Sequence, residues 1–185
     1  MKELSLNILD ITENSTKAGA TLVKIELTES NERLTVTIID NGIGMKEETL
    51  LSVANPFYTT RTTRKVGMGI PLFRLAAEMT GGRVELHSVV DDGKTDAHGT
   101  TITAYFYKNH IDFTPLGDII ETVVTLVQGN PDIDFIFTHK IKDKTISLDT
   151  KELNNILGDV PLNNIEVVLW IKEYLGEQYT NCNLT

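Results

Sequence analysis

A strand pattern that ends in an acid and two glycines constrains this chain more than any other feature. Residues 33–39 read Arg-Leu-Thr-Val-Thr-Ile-Ile, and this alternation of β-branched side chains indicates a half-buried strand. Asp40 follows at once, and residues 41–44 read Asn-Gly-Ile-Gly. A strand fixes the carboxylate at its end, and glycines let the backbone turn and approach a bound molecule. The isolated motif is more typical of an ordinary turn, so the motifs around it decide whether it is a site.

The composition describes a globular chain that can bury a full core. Of 185 residues, 41% are hydrophobic and 23% are charged. The net charge of -9 disfavours non-specific binding to nucleic acid or to an anionic membrane surface. The single cysteine, Cys182, excludes a disulfide framework and fits a reducing compartment. Neither a signal-peptide pattern nor a membrane-length apolar run is present, so we expect a cytoplasmic protein.

The order of periodic segments predicts the fold class. Helical periodicity is found at 4–17, 46–53 and 70–79. Strand alternation is found at 21–28, 33–39, 83–90 and 99–107. This order predicts an α+β fold, in which helices form a layer on a mostly antiparallel sheet. Residues 55–66 carry few aliphatic side chains and several threonines, which is typical of a mobile loop.

The last third of the chain is predicted to form a separate unit. Thr114 followed by Pro115 is typical of a helix N-cap and first turn, and this helix is expected to reach about Val127. A hairpin at 132–141 and 144–148 and two helices at 150–157 and 162–178 complete this part. The sequence therefore predicts one domain over 1–108 and a helix–hairpin–helix extension of unknown role over 109–185.

Four motifs occur in order within residues 4–107 and carry a family resemblance. They read Asp-Ile-Thr-Glu-Asn at 10–14, Asp-Asn-Gly-Ile-Gly at 40–44, Asn-Pro-Phe-Tyr-Thr-Thr-Arg at 55–61 and Gly-Met-Gly-Ile at 67–70. They resemble the N-box, first glycine box, F-box and second glycine box of the GHKL superfamily, which comprises gyrase, heat-shock chaperones, histidine kinases and MutL. The resemblance implies the Bergerat fold, a two-layer α/β sandwich with a mixed, mostly antiparallel sheet covered by helices. A C-terminal α/β extension would follow it.

The resemblance also implies a site for ATP and Mg²⁺. The metal-binding asparagine of the family matches Asn14, whose amide oxygen is a suitable hard ligand. The acid that accepts a hydrogen bond from adenine matches Asp40. Backbone N–H groups before the helix at 70–79 would cradle the phosphates. The implied nucleotide-binding residues are Asn14, Asp40, Gly42, Gly44, Thr59, Thr60, Arg61, Gly67, Met68, Gly69 and Thr100.

The loop around Thr59, Thr60 and Arg61 has two interpretations. It is basic and rich in hydroxyl groups within an acidic protein, and the resemblance favours an ATP lid that contacts phosphates. The alternative is a solvated loop without a role in binding.

Two residues depart from the patterns of hydrolysing members. Asp10 stands where those members place the glutamate that activates water, and it is our candidate base. Its side chain is one methylene shorter, which reduces its reach. Lys17 matches a lysine that histidine kinases often carry three residues after the metal-binding asparagine, where it would neutralise phosphate charge. A surface lysine is the alternative interpretation.

The sequence leaves three functions open. Because the N-box begins near residue 10, we do not expect the dimerising hairpin of a histidine kinase before it, and we do not expect a phosphoacceptor among His87, His98, His110 and His139. The first hypothesis is a stand-alone ATP-binding protein, resembling a kinase catalytic domain, that phosphorylates or regulates an unidentified partner protein. The alternatives are a nucleotide-dependent switch with little turnover and a weak MutL-like ATPase. A weak MutL-like ATPase would act as a homodimer.

Overall fold

The computed structural model describes residues 3–54, 69–94 and 97–183. Within these ranges the helices are α1 (Leu4–Lys17), α2 (Glu47–Ala54), α3 (Gly69–Met79), α4 (Ile119–Gly129), α5 (Thr150–Leu157) and α6 (Ile165–Asn183). The strands are β1 (Leu22–Glu29), β2 (Arg33–Asp40), β3 (Arg83–Val89), β4 (Gly99–Tyr107), β5 (Asp134–Ile141) and β6 (Lys144–Asp149). The predicted α+β class is confirmed.

All of these strands belong to one six-stranded sheet. Its order is β3-β4-β2-β1-β5-β6, and four of the neighbouring pairs are antiparallel. The exception is β1 with β5, which are parallel and pair Val23 with Phe135. The prediction of a mixed, mostly antiparallel sheet is therefore confirmed.

One face of the sheet carries the core. In β2 the side chains of Leu34, Val36 and Ile38 are buried, whereas those between them are half-buried. On α1 the residues Leu4, Ile8 and Ile11 are buried, and their spacing of three and four places them on one helix face. Helix α1 packs on β2, on α3 and on α4, and α4 packs on α6. Helices and sheet thus form two layers.

The start of α4 differs from the prediction. The helix begins at Ile119, not near Pro115, and Thr114 is not its N-cap. Asp118 takes that position, and its carboxylate accepts a hydrogen bond from the backbone N–H of Glu121 at 2.9 Å. Asp followed three residues later by Glu is itself a sequence signal for a helix start.

Contacts with the beginning of the chain explain why α4 does not start near Pro115. The carbonyl oxygens of Pro115 and Leu116 accept hydrogen bonds from Leu4 N at 3.0 Å and Ser5 N at 2.8 Å. The first N–H groups of a helix have no partner within it, so these carbonyls complete the N-terminus of α1. Gly117 follows with a φ of +77°, which a helix does not accept. The segment is therefore a connection between α1 and α4.

Residues on both sides of residue 109 share the sheet and the core. β5 and β6 extend the sheet beyond β1, and one core cluster includes Phe73, Phe106, Phe135 and Phe137. The division into 1–108 and 109–185 as folding units stays a prediction. None of the helices in the described ranges combines the length and the apolar character that crossing a bilayer requires.

Candidate functional site

The carboxylate of Asp40 lies at the centre of the site. Asp40 is the last residue of β2, and only 9% of its surface is exposed. Oδ1 accepts hydrogen bonds from the N–H groups of Gly42 at 3.0 Å and Thr100 at 3.2 Å, and Oδ2 accepts one from Ser15 Oγ at 2.6 Å. A carboxylate has about four acceptor positions, so one remains on Oδ2. The buried acid is held in a single orientation and can accept one further donor.

Asn41 ties the glycine box, residues 40–44, to the start of β1. Its Oδ1 accepts hydrogen bonds from the backbone N–H groups of Thr21 and Leu22, both at 2.9 Å. Its Nδ2 donates to Thr21 Oγ1 at 2.8 Å. An amide side chain that replaces backbone partners in this way stabilises a turn. The turn after Asp40 is therefore fixed from one side.

Both glycines of the box are required by close backbone contacts. A Cβ added at Gly42 would lie 2.9 Å from the carbonyl oxygen of Ala18, which follows α1. A Cβ added at Gly44 would lie 2.0 Å from the carbonyl oxygen of Val89, and Gly44 has a φ of +68°. The absence of side chains lets the box lie between the end of α1 and the end of β3.

The beginning of β4 supports the box from the other side. Gly99 passes so close that an added Cβ would lie 1.9 Å from the carbonyl oxygen of Asp40. The hydroxyl groups of Thr100 and Ser88 lie 2.9 Å apart, and Ser88 Oγ accepts a hydrogen bond from Met45 N at 2.8 Å. Thr100 therefore reaches Asp40 through its backbone N–H, while its side chain contacts β3.

A second group of predicted residues meets where α1 faces α3. Gly69 is the first residue of α3, and a Cβ added there would lie 3.1 Å from Asp10 Cβ and 3.8 Å from Asn14 Nδ2. Asp10 is exposed and Asn14 is half-buried, and their spacing of four places them on one face of α1. A carboxylate, an amide and a helix N-terminus thus lie together, and their roles stay predictions.

The donors at this place fit a magnesium ion that arrives with phosphates. Within the described ranges, no group of three or more His, Cys, Asp or Glu could hold a metal ion by protein side chains alone. Mg²⁺ usually takes one or two protein oxygens and completes its shell with water and substrate phosphates. The amide oxygen of Asn14 is consistent with this limited contribution.

Lys17 contacts an acid on its own helix. Its Nζ lies 3.2 Å from Glu13 Oε2, and the two side chains are 69% and 48% exposed. Exposed ion pairs of this kind contribute about 0–1 kcal/mol, so a phosphate could replace Glu13 at small cost. The predicted catalytic role of Lys17 stays a prediction.

Several predicted residues lie outside the described residues. They are Thr59, Thr60, Arg61, Gly67 and Met68. The lid and the first half of the second glycine box therefore stay predictions, whereas Gly69 and Ile70 of that box lie within the described ranges.

Sequence reasoning missed Ser15 as a pocket residue. Its hydroxyl is the side-chain donor to Asp40, and it is buried with 4% exposure. The available signal was its position on α1, because Ser15 continues the apolar face formed by Ile8 and Ile11. A polar side chain on a buried face needs a hydrogen-bond partner.

Sequence reasoning also missed the position of His98. The sequence pattern assigns no role to His98, and a phosphoacceptor is not expected there. In the structure its Nδ1 lies 2.7 Å from the carbonyl oxygen of Gly42. No local pattern marks this contact, because the two residues are 56 positions apart.

The chain matches a known protein family. The profile of the family described as "Histidine kinase-, DNA gyrase B-, and HSP90-like ATPase" matches residues 1–110 of the 185-residue chain. The chain belongs to this family. The resemblance deduced from the motifs is thereby confirmed.

Curated relatives match about half of this chain or somewhat more. The Non-motile and phage-resistance protein of Caulobacter vibrioides is 29% identical over 120 residues, which are 60% of this chain and 14% of that protein. Sensor histidine kinase AruS of Pseudomonas aeruginosa is 28% identical over 103 residues, which are 51% of this chain and 10% of that protein. The chain therefore spans a small part of the length of these relatives.

Solved structures are similar in fold. The Aquifex aeolicus MutL ATPase domain complexed with ADP has a TM-score of 0.53 and 14% identity, over 97% of this chain and 70% of that one. The N-terminal domain of a DNA repair protein has a TM-score of 0.54 and 15% identity, over 86% of this chain and 58% of that one. At this level of identity the similarity shows the fold.

Proposed function

We propose that the chain binds ATP with Mg²⁺ and uses the nucleotide to phosphorylate or to regulate a partner protein. The observation that carries the proposal is the buried Asp40 carboxylate with one acceptor position left. The exocyclic amino group of adenine is a donor and matches that position. Guanine has a carbonyl oxygen at the corresponding atom, and two acceptors repel each other. We therefore expect ATP to bind more tightly than GTP.

The contact between α1 and α3 supports a triphosphate at the other end of the pocket. The N-terminus of a helix favours anions through its free N–H groups and its dipole, and Gly69 begins α3 beside Asp10 and Asn14. Asn14 would hold Mg²⁺, which when bound neutralises phosphate charge. Asp10 would accept a proton from the attacking group. Family membership and the sensor kinase among the relatives support the proposal of transfer to a protein.

The first experiment measures nucleotide binding by the Asp40→Asn variant. An amide has one oxygen where the carboxylate has two, so we expect the dissociation constant for ATP to rise on the order of 100-fold. Titration calorimetry with ATP and GTP gives both constants. Thermal melting must accompany it, because Asp40 also accepts internal hydrogen bonds.

The control is Asp143→Asn, which makes the same change at an exposed position after β5. It should bind ATP like the wild type. A folded Asp40→Asn variant with wild-type ATP affinity would remove Asp40 from the proposed site.

A second candidate function is a nucleotide-dependent switch with little turnover or a weak ATPase. The observation that favours it is Asp10, whose carboxylate is shorter than the glutamate expected of a hydrolysing enzyme. Incubation with γ-labelled ATP distinguishes the candidates. Free phosphate that depends on Asp10 indicates an ATPase. Tight binding without any product indicates a switch or a kinase whose substrate is absent, and a lysate of the source cells is then added, in which a labelled protein indicates a kinase.

We also propose a cytoplasmic protein whose macromolecular partner is another protein. The net charge of -9 opposes contact with nucleic acid or anionic lipid. We further propose that the chain can form a homodimer, as the ATPase alternative requires, and the mass in solution with and without ATP would test it.

A further inference from the structure

The peptide group between Gly42 and Ile43 is held from two sides. Ile43 N donates a hydrogen bond to the carbonyl oxygen of Ala18 at 3.0 Å, at the end of α1. The carbonyl oxygen of Gly42 lies 2.7 Å from Nδ1 of the half-buried His98, which directly precedes β4. A carbonyl oxygen can only accept, so Nδ1 carries the proton in this contact. The imidazole and α1 thus hold opposite ends of one peptide plane.

The same glycine is tied to the acid of the pocket. Gly42 N donates to Asp40 Oδ1 at 3.0 Å, so the N–H points to Asp40 while the C=O points to His98. Glycine has the largest backbone freedom of all residues, and its orientation therefore depends on such bonds. Without the imidazole, the carbonyl of Gly42 would lose its partner on the β4 side.

We propose that His98 is a positioning residue for the base of the nucleotide. It holds the peptide of Gly42 and Ile43 against β4, so that the glycine box is in its binding conformation before the ligand arrives. Such preorganisation strengthens binding because the ligand does not have to order the loop. This inference rests on the proposed function. His98 would act on binding of the nucleotide base. It would not affect binding of the phosphates near Asp10 and Asn14.

The test compares three substitutions of His98. His98→Ala removes the donor, and its dissociation constants for ATP, ADP and adenosine should rise by the same factor, roughly fivefold to tenfold. The asparagine amide nitrogen is as many bonds from Cβ as Nδ1 is, so His98→Asn should bind within about twofold of the wild type. His98→Gln places its amide one bond further away and should bind as weakly as the alanine variant.

The matched control is His87→Ala, which removes an exposed histidine from the neighbouring strand β3. It should change none of the three constants. Should the alanine variant fail to fold, the comparison of His98→Asn with His98→Gln still decides, because both keep a polar side chain. Wild-type binding by His98→Ala, or equal binding by the asparagine and glutamine variants, would overturn the proposal. A loss confined to ATP would also overturn it, because it would assign His98 to the phosphates.

Hydrogen exchange of the Ile43 amide separates this inference from the proposed function. Exchange should be faster in His98→Ala and normal in His98→Asn, with no nucleotide present. Failure of the wild type to bind any adenine nucleotide, with this exchange pattern intact, would reject the nucleotide function and leave the mechanical role of His98. Unchanged exchange in all variants would reject the mechanical role itself.

Discussion

Among single residues, buried polar side chains fix the orientation of the Asp40 carboxylate at the candidate site. Ser15 donates to Asp40 Oδ2 at 2.6 Å, and both residues are buried. The hydroxyl has one hydrogen and the carboxylate accepts only, so the direction of this bond is defined. Ser15 therefore decides which acceptor position of Asp40 stays open.

Ser15→Ala should weaken both folding and ATP binding. Removing the donor leaves a buried carboxylate oxygen without its partner, which costs about 1–3 kcal/mol of unfolding free energy. The affinity for ATP should fall as well, because Oδ2 loses its orientation. Urea denaturation and calorimetry measure the two effects.

Ser52→Ala is the control for this substitution. Ser52 Oγ donates to the carbonyl oxygen of Thr49 within α2, away from Asp40, and its loss should change ATP affinity by less than about twofold. Equal ATP affinity of Ser15→Ala and wild type would show that Asp40 is oriented without the hydroxyl.

At the scale of elements, the ends of helices and strands position the site. The glycine box lies between the end of α1 and the end of β3, and Ile43 O accepts from Asp91 N at 3.0 Å. Helix α4 depends on a different local feature, the side-chain cap at Asp118. Each feature can be removed without altering a core side chain.

Gly44→Ala should destabilise the protein more than Gly81→Ala. Both glycines have a positive φ, +68° and +78°, which costs an alanine about 1–2 kcal/mol. Only Gly44 also faces backbone, since its added Cβ would lie 2.0 Å from Val89 O, whereas nothing lies within 4 Å at Gly81. Urea denaturation of both variants gives the difference. Equal losses of unfolding free energy in the two variants would mean that β3 can move away from the glycine box without a cost in stability.

Asp118→Ala should shorten or loosen α4. Loss of its hydrogen bond to Glu121 N should lower the unfolding free energy by about 1 kcal/mol, the usual effect at an N-cap. The control Asp159→Ala changes an exposed acid after α5 and should have no measurable effect. If Asp118→Ala unfolds at the same urea concentration as the wild type, Asp118 does not stabilise α4 as its N-cap.

At the scale of the whole molecule, a polar cluster joins the early and late parts of the sheet. Glu29 at the end of β1 contacts Lys108 after β4 and lies 3.3 Å from Nε2 of the buried His139 on β5. Nδ1 of His139 lies 2.7 Å from the hydroxyl of Tyr179 on α6, and burial raises the pKa of that tyrosine. The cluster therefore connects two strands, the segment that follows β4 and a helix.

Acid should destabilise the protein through Glu29. The His139 imidazole, and after it the Lys108 ammonium, lower the pKa of Glu29 from 4.5 to about 2 against the opposing effect of burial. A lowered folded-state pKa stabilises the protein fully above pH 4.5, and this contribution is lost as the pH falls toward 2. The shift corresponds to an upper limit of about 3 kcal/mol.

Urea denaturation between pH 6 and about pH 2 measures this contribution. Glu29→Gln should lose stability at neutral pH and show a shallower decline in acid. Glu26→Gln, an exposed glutamate on the same strand, should follow the wild type. An unchanged acid decline in Glu29→Gln would assign the pH dependence to other groups.

Local patterns in the sequence were enough to predict most of the elements and the order of the motifs. The limits of α1 and α5 were predicted at 4–17 and 150–157, as observed, because hydrophobic periodicity and end signals act within a few residues. The strand that ends at Asp40 was predictable for the same reason. The family resemblance followed from short motifs in a fixed order, and the profile match over residues 1–110 confirmed it.

The positions of the polar partners and of the last strands, by contrast, depend on how distant segments pack together. Ser15 meets Asp40 across 25 residues, and His98 meets Gly42 across 56. The parallel pairing of β5 with β1 joins residues more than a hundred positions apart, and α4 starts late because the carbonyls of Pro115 and Leu116 complete α1. Hydrogen bonds between distant segments leave no periodic trace in the chain, since each partner is chosen by the packing of the whole sheet and its helices.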